Sequence, residues 1–176
     1  MQDITGKRVV LKPWSVEGPE FAERVRALVA RGRREPLFYG DVLAVPPETL
    51  ANVLREAIKG GQAHFYSIHD RKTGGEIGSV RLTYSPEKFS RAGLPSHEIG
   101  VEVAAGSRRS GYGADAVHAL MTHFETRGVG AFLCRTHAEN PAAVKLVKRL
   151  GFKEHPVRDF VMRAGRRIPL RVFRRN

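Results

Sequence analysis

The hexapeptide Arg108-Arg109-Ser110-Gly111-Tyr112-Gly113 separates a stretch that alternates with period two from one striped with the period of a helix, and so sets a strand–turn–helix unit in this chain. On its N-terminal side, Ile99, Val101 and Val103 fall on one face of a strand from His97 to Val103, and Glu98, Gly100 and Glu102 on the other. On its C-terminal side, Val117, Leu120, Met121 and Phe124 stripe a helix expected from Ala114 to Arg127, which Gly128 ends. Glycines at this junction permit positive φ and close backbone approach, while a helix start offers unpaired N–H groups and the positive end of its dipole. The element suits a phosphate.

Two familiar phosphate binders do not fit. A P-loop needs Lys and Ser/Thr directly after its second glycine; Gly106 and Gly111 have the glycine spacing, but Tyr112-Gly113 follows. A dinucleotide reading takes Gly111, Gly113 and Ala116 as its small residues, yet its acidic residue would fall in Phe132 to Thr136, which has none. A Gly-rich connection that binds nothing stays open.

The rest of the chain alternates between the same two periods. Lys7 to Lys12 reads as a first strand ended by Pro13. Phe21, Val25, Leu28 and Val29 mark a helix after Pro19 that Gly32 should stop; Leu50, Val53, Leu54, Ala57 and Ile58 mark a second, from Pro46-Pro47-Glu48 to Gly60-Gly61. Phe65 to Ile68 and Ile77 to Tyr84 form a hairpin about the Asp70 to Gly75 turn, followed by a polar loop from Pro86 to Ser96. A strand from Ala131 to Thr136 leads to Asn140-Pro141, a helix N-cap and first residue, and that helix closes at Gly151. Phe160 to Arg163 and Ile168 to Phe173 flank a hairpin connection, Ala164 to Arg167. This order predicts one α/β domain over residues 1–176, with a mixed sheet and four helices.

The formal charge of +12 in 176 residues suits an anionic ligand or partner, nucleic acid and the ribosome included, but equally a solvated basic surface. Against nucleic-acid recognition, the helix after the turn is expected to expose Asp115, His118 and Thr122 rather than basic residues. No stretch approaches the roughly 20 apolar residues of a membrane span, and no secretory leader is evident, so a cytoplasmic location without membrane contact is expected. The one cysteine, Cys134, excludes an internal disulfide, reads as a buried apolar residue, and leaves no Cys/His cluster for a metal. The exposed edge of a tail strand suits pairing into a homodimer.

Arg-x-x-Gly-x-Gly opening a helix, followed by Asn140 and a short helix ending Arg149-Leu150-Gly151-Phe152, resembles the GNAT superfamily of acetyl-CoA-dependent N-acetyltransferases. The segment from Thr5 to Trp14 is similar to the first strand, and Glu98 to Val103 to the fourth, of the branch that acetylates ribosomal-protein N-termini. The resemblance implies a largely antiparallel, twisted mixed sheet flanked by about four helices, with acetyl-CoA as co-substrate and an amine acceptor, a protein N-terminus or a small molecule. It implies that the backbone of Arg109, Ser110, Gly111, Tyr112, Gly113 and Ala114, with Arg108 and Arg109, holds the CoA pyrophosphate. Val101 and Val103 would pair with the pantetheine arm, and Asn140 would lie beside it. It also implies Glu98 as the base that deprotonates the amine, with Glu102 on the same face as the alternative.

Two expected groups are missing. Many superfamily members carry a tyrosine four residues before the Gly-Phe pair, where this chain has Val147; the ribosomal-protein branch often has a serine three after the asparagine, where it has Ala143. His137 is within reach as a substitute acid. These departures keep open a catalytically silent acyl-CoA-binding or scaffold module, and the charge keeps open a ribosome- or nucleic-acid-associated protein.

Overall fold

The computed structural model describes residues 1–34, 45–85, 96–163 and 165–176. In chain order these form β1 (Ile4–Thr5), β2 (Val9–Pro13), α1 (Glu20–Arg34), α2 (Pro47–Lys59), β3 (Ala63–Asp70), β4 (Glu76–Ser85) and β5 (Ser96–Val103). A 3-10 turn (Ala105–Ser107) then leads into α3 (Tyr112–Glu125), β6 (Phe132–His137), α4 (Pro141–Arg149), β7 (Lys153–Arg163) and β8 (Arg166–Arg175). The strands make one sheet in the order β1-β2-β3-β4-β5-β6-β8-β7, in which the β5–β6 pair is parallel and the others are antiparallel.

Each face of the sheet buries its own cluster, because strand side chains alternate. One face carries α3 and α4, with Ile99 of β5, Phe132 and Cys134 of β6 and Phe173 of β8 packed against Val117, Leu120, Met121 and Val147. The other carries α1 and α2, with Phe21, Val25, Val29 and Leu50 closing over Trp14, Ala63 and Phe65. Ser67 pins α1 to this face by accepting hydrogen bonds from Trp14 Nε1 at 3.1 Å and Arg24 Nη1 at 2.7 Å.

Several boundaries differ from the sequence expectation. Lys7 and Arg8 lie in a turn between β1 and β2, and Pro13 is the last residue of β2, paired with Tyr66, rather than a stop before it. Helix α1 continues through Gly32 to Arg34, since a glycine costs a helix only about 1 kcal/mol and the packed stripe outweighs that. Strand β7 starts at Lys153: a register shift between His155 and Asp159 accommodates Pro156, the residue that disguised this stretch as loop. Arg166 and Arg167 belong to β8, not to the hairpin connection. The connection's Ala164 and residues 86–95 of the polar loop lie outside the described residues.

Candidate active site

β5 and β6 pair only at His97↔Phe132 and Glu98↔Leu133. Beyond these two pairs the strands diverge, so β5 from Ile99 to Val103 shows β6 an edge of backbone groups outside any ladder. A sheet interior that opens in this way offers hydrogen-bonding backbone to an extended ligand lying between the strands. Val101 and Val103 are partly buried along this edge, against the cluster under α3.

The opening runs towards the N-terminus of α3. Gly111, the N-cap, has φ 83° and places no side chain on the first turn. Arg109 also adopts positive φ, 65°. The amides of residues 109–114 have no hydrogen-bond partner among the described residues. A helix end with open amides is what an anion satisfies. A Cβ on Gly113 would sit 3.4 Å from Val103 Cγ2 and 3.8 Å from Leu146 Cδ2, so the helix start lies close against β5 and α4. At Gly111 a Cβ would meet nothing within 4 Å, which leaves the outer side of the turn clear. These features fit a pyrophosphate with a thin chain leading from it into the sheet, as in coenzyme A.

Side chains brace the turn from three directions. Arg108 Nε donates to the Val103 carbonyl at 2.8 Å. Tyr112 donates its hydroxyl to Asp70 Oδ2 at 3.0 Å, which holds the phenol above its ordinary value; the Lys72 amide, and then that hydroxyl, hold Asp70 below its own. Asp115 corrects an expectation: it is half-buried rather than exposed, because its carboxylate accepts backbone N–H bonds from Lys7, Arg8 and Val9. Asn140 caps α4, its Oδ1 accepting from the Ala143 amide at 3.0 Å.

Glu98, Gly100 and Glu102 point to the α1–α2 face, where the charges are paired. Glu98, 7% exposed, takes Arg135 Nε at 3.0 Å and Nη2 at 2.8 Å on the same oxygen; Arg135 Nη1 also donates to Asp159, 5% exposed, at 2.9 Å. Glu102 pairs with Arg31 of α1 at 3.2 Å. A Cβ on Gly100 would collide with the guanidinium of Arg81, so this glycine makes room for an arginine laid across the strand. Sequence reasoning did not foresee Arg135 and Asp159. The alternation of β6 could have placed Arg135 beside Glu98, but Asp159 sits behind the Pro156 irregularity.

Neither α4 position expected to carry a proton donor has one: Val147 is an apolar residue buried in the core, and Ala143 offers only its amide, which Asn140 uses. His137, expected just past the strand, is the last residue of β6 and is buried; its Nδ1 accepts from the Glu139 amide at 3.4 Å, which assigns the proton of the neutral ring to Nε2. Cys134 is buried and its thiol is pushed far above its ordinary value, by desolvation first and by the charge of Glu98 second. Among the described residues no group of three or more His, Cys, Asp or Glu side chains could hold a metal, and no helix is long and apolar enough to cross a membrane.

Residues 8–153 match the family model described as acetyltransferase (GNAT) domain. No curated protein matches the chain. Among solved structures, it is similar to RimL, a ribosomal L7/L12 alpha-N-protein acetyltransferase in complex with coenzyme A, at 16% identity over 99% of this chain and 97% of that one, TM-score 0.75. An acetyltransferase from Salmonella typhimurium that modifies the N-terminal serine of 50S ribosomal subunit protein L7/L12 matches at 17% identity, 99% and 98% coverage and TM-score 0.71. A spermidine N-acetyltransferase chimera, of SpeG from Vibrio cholerae and hSSAT, matches at 16% identity, 96% and 95% coverage and TM-score 0.70. At these identities the structural matches establish the fold.

Proposed function

Since this chain belongs to the GNAT acetyltransferase family, whose members transfer acetyl groups from acetyl-CoA, we propose that it acetylates the α-amine of a polypeptide N-terminus by direct attack in a ternary complex. The observation that carries the reading is the divergence of β5 from β6 beside the uncapped start of α3. Acetyl-CoA supplies the activated acetyl group and a thiolate leaving group. The chain supplies the rest. The amides of residues 109–114, with Arg108 and Arg109, bind the pyrophosphate. The edge of β5 at Val101 and Val103, outside the ladder with β6, pairs with the arm, and Asn140 flanks it. Backbone N–H groups of that edge are fixed dipoles of the kind that stabilise a developing oxyanion.

Glu98 takes the proton of the attacking amine, directly or through a water. An α-amine, with a pKa of about 8, is still mostly charged at neutral pH and must lose a proton before it attacks, which is the step a carboxylate at this point serves. Arg135 and Asp159 fix the orientation of Glu98. An N-terminus is favoured over a polyamine because Glu76, Glu98, Glu102 and Asp159 on the α1–α2 face are each already paired with an arginine. A polycation needs carboxylates to spare, and the +12 charge repels it. We place the enzyme in the cytoplasm, as one acetyltransferase domain over residues 1–176; its lone reduced cysteine suits that compartment.

Thiol release from acetyl-CoA, measured against N-terminal peptides and spermidine, tests the reading. Peptides should be the better acceptors. A preference for spermidine overturns the acceptor, and CoA binding without turnover on any amine points instead to the silent acyl-CoA module that Ala143 and Val147 suggest.

A further inference from the structure

The turn between β1 and β2 is built onto the start of α3 although the two lie more than a hundred positions apart. Asp115 Oδ1 accepts the Lys7 amide at 3.1 Å, and Oδ2 accepts those of Arg8 at 2.6 Å and Val9 at 3.2 Å. Gly6 has no room for a side chain: a Cβ there would lie 2.6 Å from Asp115 Oδ2. This docking has an electrostatic consequence. A carboxylate in the first turn of α3 would oppose an anion at the helix start, and three amides turned onto it offset that charge. The other nearby carboxylate, Asp70, is engaged by the Lys72 amide and the Tyr112 hydroxyl.

The same docking delivers a cation. Arg8 Nη1 donates to the carbonyl of Ser110 at 3.0 Å, directly before the N-cap Gly111. The guanidinium has five N–H donors. No other hydrogen bond or ion pair of the Arg8 side chain is present among the described residues, and the side chain is exposed beside the six open amides. We propose that Arg8 is a cofactor-binding residue, whose guanidinium contacts the pyrophosphate gathered by the start of α3. This rests on the acetyl-CoA reading above and adds to it a residue from the far end of the chain. The 3′-phosphate of CoA is a second phosphate source, but the anchor on the carbonyl of Ser110 fixes Arg8 at the turn itself.

Isothermal titration of the full chain with CoA and with dephospho-CoA, which lacks the 3′-phosphate, decides the matter without requiring turnover. Arg8→Ala keeps the backbone amide that Asp115 holds, so the apo melting temperature should stay close to that of the unaltered chain. The variant should bind both ligands ~10-fold more weakly, the loss expected for one solvent-exposed charge-assisted contact, and Arg8→Lys should recover part of it. Should Arg8→Ala fold poorly, Arg8→Gln keeps most of the side-chain length and is read the same way. Unchanged affinity for both ligands overturns the proposal. A loss confined to CoA also overturns it, by moving Arg8 to the 3′-phosphate. If the unaltered chain binds neither ligand, the cofactor reading itself fails and Arg8 falls with it.

Discussion

Arg135 reaches Glu98 from the neighbouring strand, its Nη2 2.8 Å from Oε2, at the point where β5 and β6 stop pairing. The last ladder pair is Glu98↔Leu133, so the ion pair stands just inside the opening and carries on laterally to Asp159 of β7. The proposed base is thus held from the far side of the gap into which the acetyl group would be led. Its geometry depends on three strands at once.

Glu98→Gln preserves shape and removes the proton acceptor. Turnover should fall by ~10²-fold or more, the usual size of a general-base contribution, while CoA affinity is unchanged. Steady-state kinetics beside CoA titration checks this; unchanged turnover removes Glu98 from the mechanism.

Arg135→Met leaves two buried carboxylates without their shared partner. Removing one side of a buried pair is costly, and because Arg135 keeps 25% of its side chain exposed the loss should fall at the low end of that range, about 3 kcal/mol. Urea unfolding measures it. Arg135→Lys should restore part of the stability but less of the turnover, since an ammonium cannot reproduce the two-sided fork.

Gly111→Val places a β-branched residue at φ 83°, a conformation it strongly disfavours, on the side of the turn that is otherwise clear. CoA binding should be abolished, with a stability loss of about 1–2 kcal/mol from the backbone strain. Titration and thermal unfolding separate the two effects; retained binding would show that the anion does not approach this turn.

Stability should fall as pH drops below 6.5. His64 of β3 and His123 in the last turn of α3 both lie against the ring of Phe124, His97 of β5 is near enough for its charge to act on His64, and desolvation, followed for His64 by the charges of His123 and His97, holds all three below the ordinary value of 6.5. The unfolded chain therefore binds more protons just below that pH. The contribution is complete above 6.5 and is lost as pH falls from there through the lowered folded values. Thermal unfolding from pH 7.5 to 5 should show the decline, and His64→Gln should flatten it. A melting temperature that does not change over this window would contradict the burial of these rings.

Much of the structure at the start of α3, where we propose the cofactor binds, was legible locally. The change of period at residues 103–114, with Gly111 and Gly113 between, is a chain-neighbour pattern, and the helix start it signals is where the open amides lie. Asn140-Pro141 likewise announced a cap that the Ala143 amide completes. The neighbours of Glu98 were less legible. Alternation in β5 put Glu98 and Glu102 on one face, but which cation meets which acid depends on strand order, and the register shift at Pro156 hides the phase that brings Asp159 inward.

The sequence by itself determined most of the helices and strands, because backbone propensity and hydrophobic period act between residues a few positions apart, and with them the glycine turn that opens α3. Only the tertiary structure decided that β6 lies parallel to β5 and leaves it after two residues, that Arg135 serves both Glu98 and Asp159, and that Asp115 and Arg8 join the N-terminal turn to α3. Those outcomes follow from hydrogen-bond and charge pairing between groups distant in the chain. Such pairing is set by the position of whole elements on their packed faces, and no local pattern of residues encodes it.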